Sequence, residues 1–189
     1  MSLPSSAGRR AVYDQADRFG WISIVLHWLT AIAVIVLWFL GKAIAFADAD
    51  SVEPQRRLHM SMGIVLWLLL AGRIAWRLRS GHPRARGLTD LTHRIARFSH
   101  YLLLAALSLM LLSGPLMAWA NGASIPVFDW FVIPGPIGES PAVRSVMHTI
   151  HLTSSNLILW VTLLHVAGAF KHLMFHHDEA FVRMLWPGR

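Results

Sequence analysis

Residues 146–175 read VMHTIHLTSSNLILWVTLLHVAGAFKHLMF. The run is thirty residues long and, apart from Lys171 near its end, carries no acid or fixed cation. About 20 apolar residues suffice to cross a ~30 Å hydrocarbon core, so this segment predicts a membrane-spanning helix. A lone segment in lipid must satisfy its backbone internally, and a helix does so. Three more runs of the same kind lie upstream, at 21–46, 58–78 and 98–120. The fold expected is all-α, a bundle of four transmembrane helices.

Composition agrees. Of the 189 residues only 14% are charged, and nine are Trp; soluble domains carry about a quarter charged residues. There are no cysteines, which excludes disulfides, thiolate-ligated iron–sulfur clusters and covalent haem attachment through C-x-x-C-H. The net charge of +7 does not point to nucleic acid, because the basic residues lie between the apolar runs. Arg9, Arg10 and Arg18 precede the first run. Arg73, Arg77, Arg79, Arg84, Arg86, Arg94 and Arg97 separate the second from the third. Lys171, Arg183 and Arg189 follow the fourth. The other two connections, 47–57 and 121–145, carry Arg56, Arg57 and Arg144 offset by Asp48, Asp50, Glu53, Asp129 and Glu139, with Lys42 at the end of the first run. By the positive-inside rule both termini are cytoplasmic and these two loops face outward. The chain divides into a cytoplasmic segment 1–20, a membrane domain 21–175 and a cytoplasmic tail 176–189. The loop 121–145, rich in Pro, Gly and aromatics, is expected to cap the outer surface. Residues 1–20 are polar and the first apolar run spans by itself, so no cleaved signal peptide is read.

The chain has eleven histidines. His82, His93, His176 and His177 fall in loops or tails. His27, His59, His100, His148, His151, His165 and His172 lie in or near the spans, where ionisable groups are rare and usually functional. The bland reading of any one is a neutral histidine hydrogen-bonded to a neighbouring helix. As a set they form a pattern. His151 and His165 are fourteen residues apart, so they differ by about 40° in azimuth and ~21 Å in depth. Two ligands on one face at opposite depths suit two stacked haems, each iron taking two neutral imidazoles. Topology supplies the partners: His27, near the inner end of the first helix, matches His165, and His59, at the outer end of the second, matches His151. His148, about 100° off the face of His165, is the competitor of His151. Gly63 and Gly168 stand near the ligand faces, where a flat ring can approach the backbone; plain helix packing is the alternative. His100 lines a haem edge or a quinone pocket, or packs. His172 contacts a quinone head group or a propionate, or snorkels at the interface. Arg73 and Arg77 pair with propionates or serve as positive-inside anchors.

These elements together resemble a known family. They are His27-Trp28, Arg57-Leu58-His59 with Gly63, Gly72-Arg73, Trp76-Arg77 with Pro83 beyond, Leu112-Ser113-Gly114 after His100, and His151 followed by His165-Val166-Ala167-Gly168-Ala169 and Lys171-His172. The chain is similar, over roughly residues 18–186, to the bacterial cytochrome b561 family of four-helix di-haem membrane cytochromes. The resemblance implies two non-covalent b haems held from the first, second and fourth helices, a bacterial inner-membrane location and electron exchange with ubiquinone. One member type takes electrons from superoxide at the outer face and passes them to quinone. It departs from the family at His151-Leu152, where members often have His-Glu, and at Lys171-His172-Leu173, where paired histidines are common. Arg56, Arg57 and Arg144 are candidates for a basic entrance that steers an anion. The alternative is an electron-relay subunit that anchors a periplasmic dehydrogenase or hydrogenase, with loop 121–145 as its docking surface. A histidine proton relay in a transporter is the non-redox reading, and the matched depths of four histidines argue against it.

Overall fold

The computed structural model describes residues 12–16, 18–81, 83, 90–171, 173–174 and 182–187. Among the described residues four long helices run up and down: α1 (Trp21–Ala45), α2 (Val52–Ser80), α3 (Asp90–Ala120) and α4 (Pro141–Lys171). All four are long and apolar enough to cross a membrane. Their outer surface is what lipid requires and water would penalise, with Leu68 76% and Leu164 72% exposed. A short antiparallel hairpin, β1 (Ile125–Val127) and β2 (Phe131–Ile133), lies between α3 and α4, and a 3₁₀ turn at Val182–Met184 follows α4.

The helices outrun their apolar cores. α2 begins at Val52 rather than 58, α3 at Asp90 rather than 98, and α4 at Pro141 rather than 146. The expected loop 47–57 therefore shrinks to 46–51, and 121–145 to 121–140. The added turns are polar but well formed. Pro54 and Pro141 sit in the first turns of their helices, where the N–H they lack has no intrahelical acceptor. Arg56 pairs with Glu53 one turn away at 2.6 Å, and Ser140 Oγ accepts from Val143 N–H at the start of α4. In the short α1–α2 loop the Ser51 hydroxyl and backbone N–H both donate to the Asp48 carboxylate. They hold its pKa below the usual carboxylate value.

Packing is pairwise: α1 lies along α2, and α3 along α4. The pairs meet along α2 and α3, around Ala33, Leu70 and Leu107 with Leu37, Leu66 and Leu111 packed against them. One hydrogen bond crosses that seam for a clear reason. Pro115 lies inside α3 and has no N–H to give to the carbonyl of Leu111. In lipid that carbonyl has no water to turn to. Trp67 Nε1, from α2, donates to it at 3.1 Å.

Each end of the bundle is tied down. At the end carrying both termini, the Asp14 carboxylate accepts Gly20 N–H at 2.8 Å and Ser23 Oγ at 2.6 Å. Ser23 Oγ in turn accepts Trp76 Nε1 from α2 at 2.7 Å. The guanidinium groups of Arg77 and Arg183 both lie over the Phe19 ring, 5.3 and 5.7 Å from its centroid. Trp28 Nε1 donates to the Met184 carbonyl. At the other end the hairpin sits on α2. Buried Ser61 Oγ donates to the Pro126 carbonyl at 3.1 Å and accepts Phe128 N–H at 2.8 Å, which fits the left-handed φ of 50° at Phe128. Ile125 and Val127 point inward, each 2% exposed. Loop 121–140 does cap that end.

Trp67→Phe is expected to destabilise the protein by about 1 kcal/mol, by leaving the Leu111 carbonyl unpaired. In a Pro115→Ala background, where residue 115 regains its N–H, the same substitution should cost much less. Thermal unfolding midpoints of the four proteins in detergent measure the difference.

Candidate functional site

Fourteen residues is close to four helical turns, so it brings two side chains to one face about 21 Å apart. The spacing recurs on every helix. It separates His27 from Gly41 on α1, His59 from Arg73 on α2, His100 from Gly114 on α3 and His151 from His165 on α4. Because the helices alternate in direction, the eight positions fall into two levels. The hairpin-side level holds Gly41, His59, Gly114 and His151. The termini-side level holds His27, Arg73, His100 and His165.

At each level two imidazoles face each other across the gap between the helix pairs. The ring centroids of His27 and His165 are 6.3 Å apart, and those of His59 and His151 are 6.4 Å apart. Two imidazoles bonded through nitrogen to opposite sides of one metal, each at about 2 Å, hold their centroids roughly 6 Å apart. Among the described residues no group of three or more His, Cys, Asp or Glu side chains converges as a metal site. Two opposed imidazoles are instead the donor set for an iron whose other four positions are filled by a porphyrin. The residues present therefore fit a haem at each level.

The walls behind the ligand candidates are thin on the hairpin side. His59 lies against Gly41 of its pair-mate helix, where an added Cβ would stand 3.5 Å from Cε1. His151 lies against Gly114 in the same way, at 3.3 Å. Ser113 Oγ is 3.1 Å from His151 Nδ1, an orienting contact of the kind that leaves Nε2 turned to a metal. His59 Nδ1 is buried without a well-formed hydrogen bond, and the Leu37 carbonyl is the acceptor within reach of its ring. A Cβ at Gly63 or Gly168 would meet no atom within 4 Å.

On the termini side the same two positions are filled. His100 stands beside His165, with centroids 5.0 Å apart, which is a packing distance rather than that of two ligands across a metal. Arg73 is half-buried, and its Nη1 has no hydrogen-bond partner. It is within electrostatic reach of His27, and so is Arg77. The other buried, unpartnered polar atoms among the described residues are Thr30 Oγ1, Trp38 Nε1, Gln55 Oε1, His59 Nδ1 and Trp119 Nε1. All lie within five residues of one of the eight register positions. Of these atoms Arg73 Nη1 and His59 Nδ1 belong to the register positions themselves, and an unpaired polar atom in a membrane core is costly.

His148 is exposed and lies about 60° around the helix from His151, while His151 faces His59. His172 lies outside the described residues, as do His82, His176, His177, Arg84 and Arg86. The basic entrance expected at the hairpin end is largely neutralised: Arg56 pairs with Glu53, and Arg57 with Asp129 at 3.3 Å. Gly41 and the roles of Ser113 and Gly114 were missed from sequence. The fourteen-residue spacing from His27 and His100 was the available signal.

A sequence profile of the prokaryotic cytochrome b561 family matches residues 18–187. The chain belongs to that family. It is therefore a membrane cytochrome, and membership implies haem b. The cytochrome is 31% identical to cytochrome b561 homolog 2 of Escherichia coli (strain K12), over 89% of this chain and 92% of that one. It is 24% identical to the probable superoxide oxidase CybB of Yersinia pestis, over 89% and 96%. It is also 24% identical to cytochrome b561 homolog 1 of Escherichia coli (strain K12), over 89% and 97%.

Gly114→Leu is expected to drive His151 out of position and to lower the haem content of the purified cytochrome by about half. Gly41→Ala, whose Cβ has ordinary contact distance to His59, should leave it unchanged. Pyridine haemochrome assay of the two variants checks both.

Proposed function

We propose that this cytochrome carries electrons across the membrane through two b haems, from a donor at the hairpin end to ubiquinone. The observation that supports it most is the pair of facing imidazole couples at two depths. His59 and His151 would hold the hairpin-side haem, and His27 and His165 the termini-side one. The haems supply one-electron chemistry at iron; the protein supplies everything around them. Four helices keep each imidazole couple at the right separation, and the apolar shell keeps water from the ligands. Ser113 orients His151, and the glycines at 41 and 114 let the ligand rings sit back against their neighbours. The excess of arginine at the termini end supports an orientation with both termini in the cytoplasm and the hairpin outside, in the inner membrane of a bacterium.

The donor most in keeping with the relatives is superoxide, since one of them is named a probable superoxide oxidase. The reaction is then superoxide:ubiquinone oxidoreduction. A second reading has its own observation. Trp130, Phe131 and Val132 at the hairpin tip are 74%, 56% and 61% exposed, a patch of the sort that docks a protein. On that reading the chain relays electrons from a periplasmic dehydrogenase or hydrogenase. Quinone reduction by the isolated chain on addition of superoxide favours the first, and a stoichiometric partner on purification favours the second.

The purified protein is expected to give two b haems per chain by pyridine haemochrome. His59→Ala or His151→Ala should remove one, and His27→Ala or His165→Ala the other. A protein without Soret absorbance overturns the proposal. Loss of a haem in His148→Ala but not in His151→Ala overturns the ligand assignment on α4.

A further inference from the structure

The two levels share one geometry but not one charge. On the hairpin side the residues behind His59 and His151 are Gly41 and Gly114, which bring no side chain. On the termini side the equivalent positions hold Arg73 and His100. Arg73 lies on α2, the pair-mate of the helix that carries His27, and it is within electrostatic reach of His27.

That charge is poorly neutralised. Asp14 is the one carboxylate facing the two guanidinium groups of Arg73 and Arg77 among the described residues. Its closer contact is to Arg77, at 3.7 Å, and its oxygens already accept Gly20 N–H and Ser23 Oγ. Arg73 Nη1 stays buried with no acceptor. An arginine keeps its proton in such a place. Among the described residues the protein's own groups therefore set two guanidinium groups against one carboxylate at the termini-side level. The hairpin end differs. Arg57 and Arg56 are matched by Asp129 and Glu53, and all four are exposed, where salt and water screen them. Lys42, next to Gly41, is turned about 100° off the ligand face and lies over the Trp38 ring at 5.4 Å.

A fixed cation in a medium of low dielectric favours the less positive state of a neighbouring group. Adding one electron to a haem iron lowers its charge by one. We propose that Arg73 makes the termini-side haem the better electron acceptor of the two, and so sets the direction of transfer from the hairpin end to the termini end. The inference rests on the two-haem reading above. The step moves one electron: the hairpin-side iron goes from ferrous to ferric, the termini-side iron from ferric to ferrous, no bond breaks and no proton moves. Arg73 acts here as a positioning residue for charge and not as a ligand.

The test is a potentiometric titration of the purified holoprotein in detergent, followed by haem absorbance. His59→Ala, retaining the termini-side haem, identifies which of the two waves is which. In the wild type the termini-side wave is expected at the higher potential. Arg73→Gln should lower that wave towards the other and leave the hairpin-side wave in place. Arg73→Lys, which keeps the charge, should retain most of the separation. Asp14→Asn, which removes the nearby negative charge, should move the same wave up. Arg57→Gln, at the exposed hairpin end, should move neither. Unchanged waves in Arg73→Gln, or equal shifts of both, overturn the inference. If Arg73→Gln does not retain its haems, Asp14→Asn decides: a termini-side wave that does not rise overturns it. A wild-type protein with fewer than two haems sinks the two-haem reading instead, and the haem count tells the two failures apart.

Discussion

Fourteen residues of α-helix make close to four turns, and the rest of the site follows from that near-coincidence of period and depth. A residue and its fourteenth neighbour share a face and stand about 21 Å apart, most of the way across a ~30 Å hydrocarbon core. Four antiparallel helices that each repeat the spacing build two stacked rings of positions. In each ring two histidines face each other, His27 and His165 in one and His59 and His151 in the other, and the centroid separations of 6.3 and 6.4 Å show that both couples close to the same width.

The membrane sets what else the bundle needs. Without water, a helix-breaking residue must find its substitute partner within the protein. The Pro115–Leu111–Trp67 arrangement does so at the seam between the two helix pairs. The ends face a polar medium and are held differently. Asp14 gathers the start of α1 and the end of α2, and Ser61 pins the hairpin to α2 two residues beyond His59. Both clasps lie next to a histidine level, so the same contacts that close the bundle also hold the imidazole couples.

The two levels are built alike and filled differently. Glycine backs the ligand candidates on the hairpin side, and Arg73 and His100 do so on the termini side. Small residues let rings approach a helix backbone, whereas a buried cation changes the energy of any charge placed beside it. The scaffold is thus symmetrical in its register and unsymmetrical in what fills it.

Much of this was legible in the residues alone. The four spans were readable because hydropathy over about 20 residues has one physical solution in lipid. The matching of His27 with His165 and of His59 with His151 was readable because rise and alternating direction set depth. Helix ends were less so: the polar first turns of α2, α3 and α4 lie outside the hydrocarbon core, where hydropathy carries no signal and local caps decide. Gly41 was not singled out, and Ser113 was noted without its role, because which helix lies behind a given histidine depends on which helices pair. Nor did the sequence tell that Arg57 meets Asp129, seventy-two positions away, and so neutralises part of the expected basic entrance. Depth along a helix is a local property and is written in the spacing. Neighbours around the bundle axis, and the charges they leave unpaired, arise only when the helices pack.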